Sequence, residues 1–303
     1  HYQRIVPNYQ ALANLYRELI RLSVIDESNV AHLEYLNRLD RAYILSLIPS
    51  LNELLETLDL FPPSRLLAYL GQEQVKPLIR DAEDLARFLR KLQQVGCLDS
   101  PEKQRDILNF LTTICHLIET PQQLITLFEF VDPIELIRFI GNEKMMQLIS
   151  SYEHLDLFLS AQYFERHHER QQQALIELVG WPKIMEVATN ANQLADLLNT
   201  FHPNRHPELL QALSPQGLLQ RIHNNQELLH VLENILPNAQ LHWLTQLGSQ
   251  ALRSLLENIH QLIDLYNQLP HEAKPLFLDL FCDGFRNDNL RHIIDYCLSR
   301  QAQ

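Results

Sequence analysis

His202 and His206 stand four residues apart, a spacing that places two imidazoles on one helix face and can chelate zinc. Pro203 and Pro207 lie between and beside them, so the segment reads as a loop. No cysteine or third histidine is near in sequence. Solvated loop histidines are therefore expected, and no metal or other cofactor is assigned. His167 and His168, beside Glu165 and Glu169, have the residue types for proton transfer. A charged loop insertion accounts for them better. The cysteines (Cys97, Cys115, Cys282, Cys297) form no CxxC pair, and buried reduced thiols in a reducing cytosol are expected. GxSxG, P-loop, GxGxxG and HExxH patterns are all missing. The chemistry-bearing residues thus point away from an enzyme.

Recognition is better represented. Trp181 follows Gly180 where comparable segments carry Gln72, Asn142 and Ser249, so it is expected to be more exposed than core. Exposed Trp, Tyr and Arg anchor interfaces. Tyr163, Phe164, Arg166 and His167 cluster in one polar segment, and His202 and Arg205 share another. These seven residues are the candidate binding set. The chain has 25 Lys and Arg against 37 Asp and Glu, a net charge of −12. That balance argues against nucleic acid and anionic membrane as partners and favours a protein with a basic surface. No apolar run is long enough to span a bilayer.

The elements that position these residues repeat. Segments starting at Leu39, Leu70, Asn109, Ile140, Val179, Leu213 and Leu247 align without gaps, at spacings of 31, 39, 31, 39, 34 and 34. Eleven residues after each start stand Ser50, Asp81, Thr120, Ser151, Asn190, Asn224 and Asn258, all helix N-cap types. Fifteen after each stands leucine: Leu54, Leu85, Leu124, Leu155, Leu194, Leu228 and Leu262. Four of the seven glycines (Gly71, Gly141, Gly180, Gly248) fall one residue after a start, where a left-handed residue would end a helix. Each copy reads as three helices. The first closes at the start residue, the second has apolar positions five, eight and nine residues on, and the third follows the cap with an amphipathic stripe.

One such copy cannot bury its stripes alone, whereas stacked copies can. The expected fold is all-α: a right-handed-type α-solenoid of about seven three-helix repeats of 31–39 residues, forming one continuous array. Residues 1–38 are expected to cap it with two helices, roughly Asn8 to Leu22 and Asn29 to Leu39. Residues 39–282 form the repeats, and 283–303 a degenerate polar cap. The two longer spacings mark insertions at Gln93–Asp106 and Gln162–Gln173, read either as projecting loops or as linkers.

The repeat pattern LG…L..LI.n...L..LL..LP over about residues 39–282 resembles helical repeats in proteins that Legionella-type intracellular bacteria secrete into host cells. That resemblance implies a translocated effector acting in the host cytosol, or a regulator that holds another effector. The implied partner is a host protein or a second bacterial protein. Tetratricopeptide and ankyrin signatures are missing. LSPQGLLQRIHNN from Leu213 faintly echoes transcription-activator-like effector repeats, and the LG turn those of mitochondrial termination factors. Both families bind nucleic acid through basic surfaces that this chain lacks. The leading expectation is a non-enzymatic scaffold gripping a partner in its groove. The alternatives are a regulatory module of a longer enzyme, and an enzyme with a site between repeats built from His167, His168 or Glu169.

Overall fold

A computed structural model describes residues 6–22, 41–112, 114–161, 168–235, 237–256, 258–271 and 273–282. The chain is all-helical, with no strand among the described residues. It divides into two compact units, His1–Leu148 and Ile149–Gln303.

The first unit opens with α1 (Tyr9–Arg21), capped by Asn8, whose side chain accepts from the Ala11 N–H. The second helix expected before residue 39 lies outside the described residues. Then come α2 (Arg41–Leu47) and α3 (Leu51–Thr57). The next copy is α4 (Pro63–Leu70), α5 (Gln72–Val75, continued as a 3-10 turn to Leu78) and α6 (Ala82–Gln94). A third comprises α7 (Pro101–Phe110), a 3-10 turn at Cys115–Leu117 and α8 (Pro121–Leu127). The unit ends with α9 (Pro133–Ile140) and α10 (Asn142–Leu148).

The second unit begins with α11 (Tyr152–Ser160). Two full triplets follow: α12 (His168–Val179), α13 (Trp181–Val187) and α14 (Ala191–Thr200), then α15 (His206–Ala212), α16 (Pro215–Leu219) and α17 (Asn225–Glu233). The last triplet is α18 (Pro237–Leu247), α19 (Ser249–Leu255) and α20 (Ile259–Gln268), followed by α21 (Ala273–Cys282). The degenerate cap expected at 283–303 lies outside the described residues.

The cap column of the sequence is a cap column in space. All seven residues hold the extended backbone of an N-cap, immediately before α3, α6, α8, α11, α14, α17 and α20. Six accept a bond from the backbone N–H three residues on. Ser50 instead donates its hydroxyl to the Glu53 carboxylate. Thr120 and Gln123 complete a capping box. The leucine column is equally uniform, with every member at most 3 % exposed. The apolar position five after each start (Ile44, Val75, Ile114, Met145, Ile184, Leu218, Leu252) is buried to the same degree. At roughly 1.5–3 kcal/mol per buried aliphatic side chain, these two columns carry much of the core. Within the first unit α3, α6 and α8 pack in succession, and within the second α14, α17 and α20 do.

The glycines depart from expectation. Gly71, Gly141, Gly180 and Gly248 have φ of 78–83° but ψ of 149–167°, outside the left-handed helical region. Each is a one-residue joint, ending the first helix of its copy and opening the second. That backbone is almost confined to glycine. A Cβ on Gly141 would touch nothing within 4 Å, so the cost of Gly141→Ala is conformational alone. It is expected to be about 1–3 kcal/mol, read by chemical denaturation. The expected left-handed cap occurs instead at Gly96 (φ 73°), where Cys97 N–H bonds Leu92 O and Gly96 N–H bonds Gln93 O in a Schellman arrangement.

The first insertion is not a free loop. Ser100 caps α7, which packs on α9. Arg105 grips Glu135 with two bonds of 2.8 and 3.0 Å, and Gln104 accepts from the Asp132 N–H.

Candidate functional site

The surface is set by the third helix of each copy. Its buried stripe begins at the leucine column, so the positions thirteen, seventeen and twenty after the start form the opposite i, i+4, i+7 stripe facing solvent. In the second unit, α11, α14, α17 and α20 carry the exposed carboxylates Glu153, Asp156, Asp196, Glu233 and Asp264, and no Lys or Arg. All but Asp156 sit on that stripe. Asp196 also accepts from the Tyr152 hydroxyl, and burial with nearby carboxylates raises the phenol well above its ordinary value.

Glu227 is spent differently. The backbone N–H of His223 donates to it at 2.7 Å, and that bond holds its carboxyl below the usual range.

In the first unit the corresponding layer is α3, α6 and α8. There α6 carries Arg87, Arg90 and Lys91, the only Lys or Arg on any of the seven third helices. Two clefts flank α6. One, of about 280 Å³, is lined by Leu55, Glu56 and Asp59 together with Arg87, Arg90, Lys91 and Gln94. The other, of about 310 Å³, lies between α6 and α8, with Glu83, Arg87, Arg90, Gln123 and Thr126 in its wall. Lys91 is paired with Asp59 at 2.6 Å. Arg87 bonds the Asn52 side chain at 2.5 Å and Asp84 at 3.3 Å. Arg90 lies over the Phe130 ring, 5.2 Å from its centre.

Of the expected binding residues, Tyr163, Phe164, Arg166 and His167 lie outside the described residues. Trp181 is half-buried at the start of α13, edge-on to Phe201 with ring centres 5.1 Å apart. Its indole N–H donates to Glu208 at 3.3 Å, and Arg205 donates to the same carboxylate at 3.0 Å. Glu208 thus ties Trp181 and Arg205 together across α13 and α15. His202 sits next to Phe201 with Nδ1 3.9 Å from Glu169.

His206 is not the solvated loop histidine expected. It is buried at the start of α15, and Nε2 lies 2.8 Å from Leu198 O and 3.2 Å from Phe201 O, closing the end of α14. The equivalent residue of the next copy, Gln240, donates from Nε2 to Leu232 O and Ile235 O in the same pattern. His206→Gln should therefore keep the closure and cost less than about 1 kcal/mol, whereas His206→Ala should cost about 1–3 kcal/mol by leaving buried carbonyls unpaired. Thermal unfolding of the pair checks this.

Among the described residues no group of three His, Cys, Asp or Glu is placed to hold a metal ion. Cys97 and Cys115 are free thiols, half-buried rather than fully buried, and burial pushes the Cys97 thiol up, away from the reactive thiolate. No described helix is long and apolar enough to cross a membrane.

No family model, no curated protein and no solved structure matches this chain. The reading of function therefore rests on the surface itself.

Sequence reasoning passed over the three cations of α6. Their signal was present in the aligned copies, because positions seventeen and twenty read Glu56 and Asp59, Arg87 and Arg90, Asp196 and Asn199 in different copies. The overall charge concealed it. The polar closing position, seven before the start, was likewise legible as His206 and Gln240.

Proposed function

We propose that this chain is a non-enzymatic α-solenoid scaffold that holds a partner protein against the solvent-facing stripes of its third helices. The observation that carries the reading is the third-helix layer of the second unit. Its helices bury one face on a shared leucine column and present carboxylates, without a single Lys or Arg, on the other. A one-signed stripe repeated on adjacent helices has no role in the core. It raises the association rate of a partner with a basic surface and sets its register. The repeated caps, leucines and glycine joints support a single repeated building block, as a solenoid requires. The resemblance of the repeats to secreted bacterial proteins would make the scaffold an effector or an effector's regulator, with inhibition or tethering of an enzyme as its mechanism.

Affinity capture from a cell lysate tests this, using the tagged chain and an E153Q/D196N/D264N variant. The wild-type chain should recover a protein at low salt and release it at high salt, and the variant should recover little. Capture of nothing, or capture indifferent to both salt and the three substitutions, would overturn the reading.

A further inference from the structure

We propose that α6 of the first unit seats an acidic segment of a partner protein, with Arg87 and Arg90 pairing its carboxylates. This rests on the scaffold reading and deepens it, because it reverses the expected charge of the partner at one place. Six of the seven third helices carry no cation, and α6 carries three. A general need for solubility would not concentrate them there. The clefts on its two flanks share Arg87 and Arg90. The first cleft's wall sets three cations against two carboxylates and the second's sets two against one; Asp84 neutralises Arg87 from outside both walls, which leaves Arg90 as the cation without a carboxylate of its own among the described residues.

The three cations are not equally available. Lys91 is spent on Asp59 and is 19 % exposed. Arg87 is 42 % exposed and is oriented by Asn52 and Asp84. Arg90 is exposed and has no carboxylate partner among the described residues, and its guanidinium lies over the Phe130 ring, 5.2 Å from the ring centre. A planar donor fork is suited to bidentate carboxylate recognition. Arg87 and Arg90 stand one turn apart, about 5–6 Å between their Cβ atoms. That matches the roughly 6.6 Å between alternate side chains of an extended chain. The segment recognised is accordingly one with Asp or Glu at every second position, and Gln94, Gln123 and Thr126 along the clefts can bond its backbone.

Fluorescence anisotropy with a labelled alternating Glu-Ala peptide, and a Lys-Ala peptide as control, tests the assignment on the full chain. The Glu-Ala peptide should bind more weakly as salt rises, and R87Q/R90Q should weaken it by about tenfold or more. E56Q and E83Q remove flanking negative charge and should strengthen binding, a gain that misfolding cannot produce. No binding, or equal binding by R87Q/R90Q, would overturn the site. Displacement by inorganic phosphate but not by chloride at equal ionic strength would also overturn it, in favour of a phosphate site. So would self-association of the chain that R87Q/R90Q abolishes, since the occupant would then be a second copy. If the lysate capture fails while the peptide binds through both arginines, the scaffold reading falls and this site stands. In the opposite case only this site falls.

Discussion

Leu194→Ala is expected to destabilise the protein by about 2–5 kcal/mol in chemical denaturation, while Asn192→Ala two residues earlier stays within about 0.5 kcal/mol. The contrast follows from the helix. Leu194 is fully buried in α14 as a member of the leucine column, and Asn192 is on the solvent-facing stripe. Truncation removes apolar contact and leaves a cavity in the buried face of α14, which packs on α17. The same substitution at Leu228 should fall in the same range, because the two positions are equivalent. Unequal costs would show that the aligned leucines do different work and that the copies are not one structural unit.

Trp243→Ala should have the largest effect of any single truncation in the second unit, about 3–5 kcal/mol. The indole is fully buried in α18, four residues before the start of its copy, where four of the six other copies have leucine (Leu66, Leu136, Leu175 and Leu209). It therefore fills a leucine site with a larger ring. Its Nε1–H has no acceptor among the described residues. An unpaired buried donor carries a penalty of about 1–3 kcal/mol, which Trp243→Phe relieves while keeping most of the ring. The Phe variant is thus expected to lose less than about 1.5 kcal/mol despite the smaller side chain. A Phe variant as unstable as the Ala variant would mean that the indole N–H has a partner.

What the sequence made legible was whatever repeats. Caps and leucines recur because every third helix faces the same local problem: an unpaired N-terminal N–H and a face to bury. The all-α class followed from that recurrence. The glycines were placed at the right joints but given the wrong backbone, since spacing shows that a helix ends and not which way the chain leaves it. His206 was misjudged because Pro203 and Pro207 signal a loop. A 3-10 turn at Pro203–Arg205 uses the first proline and the opening turn of α15 takes the second, which carries the imidazole into the core. Trp181 is expected from its column to be an exposed anchor, but it is half-buried, and its ties to Phe201 and Glu208 needed tertiary structure to see. Arg87 and Arg90 were missed because charge was summed over the chain instead of compared down a column. Clefts are invisible to either method, because they depend on how α3, α6 and α8 pack side by side.

The central claim is that the solvent-facing stripes of the third helices hold the partner. Site-specific photocross-linking reads that face directly. A benzophenone amino acid placed at Asn192 or Gln226, on the stripes of α14 and α17, should give a covalent adduct with the captured protein. The same probe at Glu177, exposed on the first helix α12, should give none. Adducts from Glu177 and not from Asn192 or Gln226 would contradict the account.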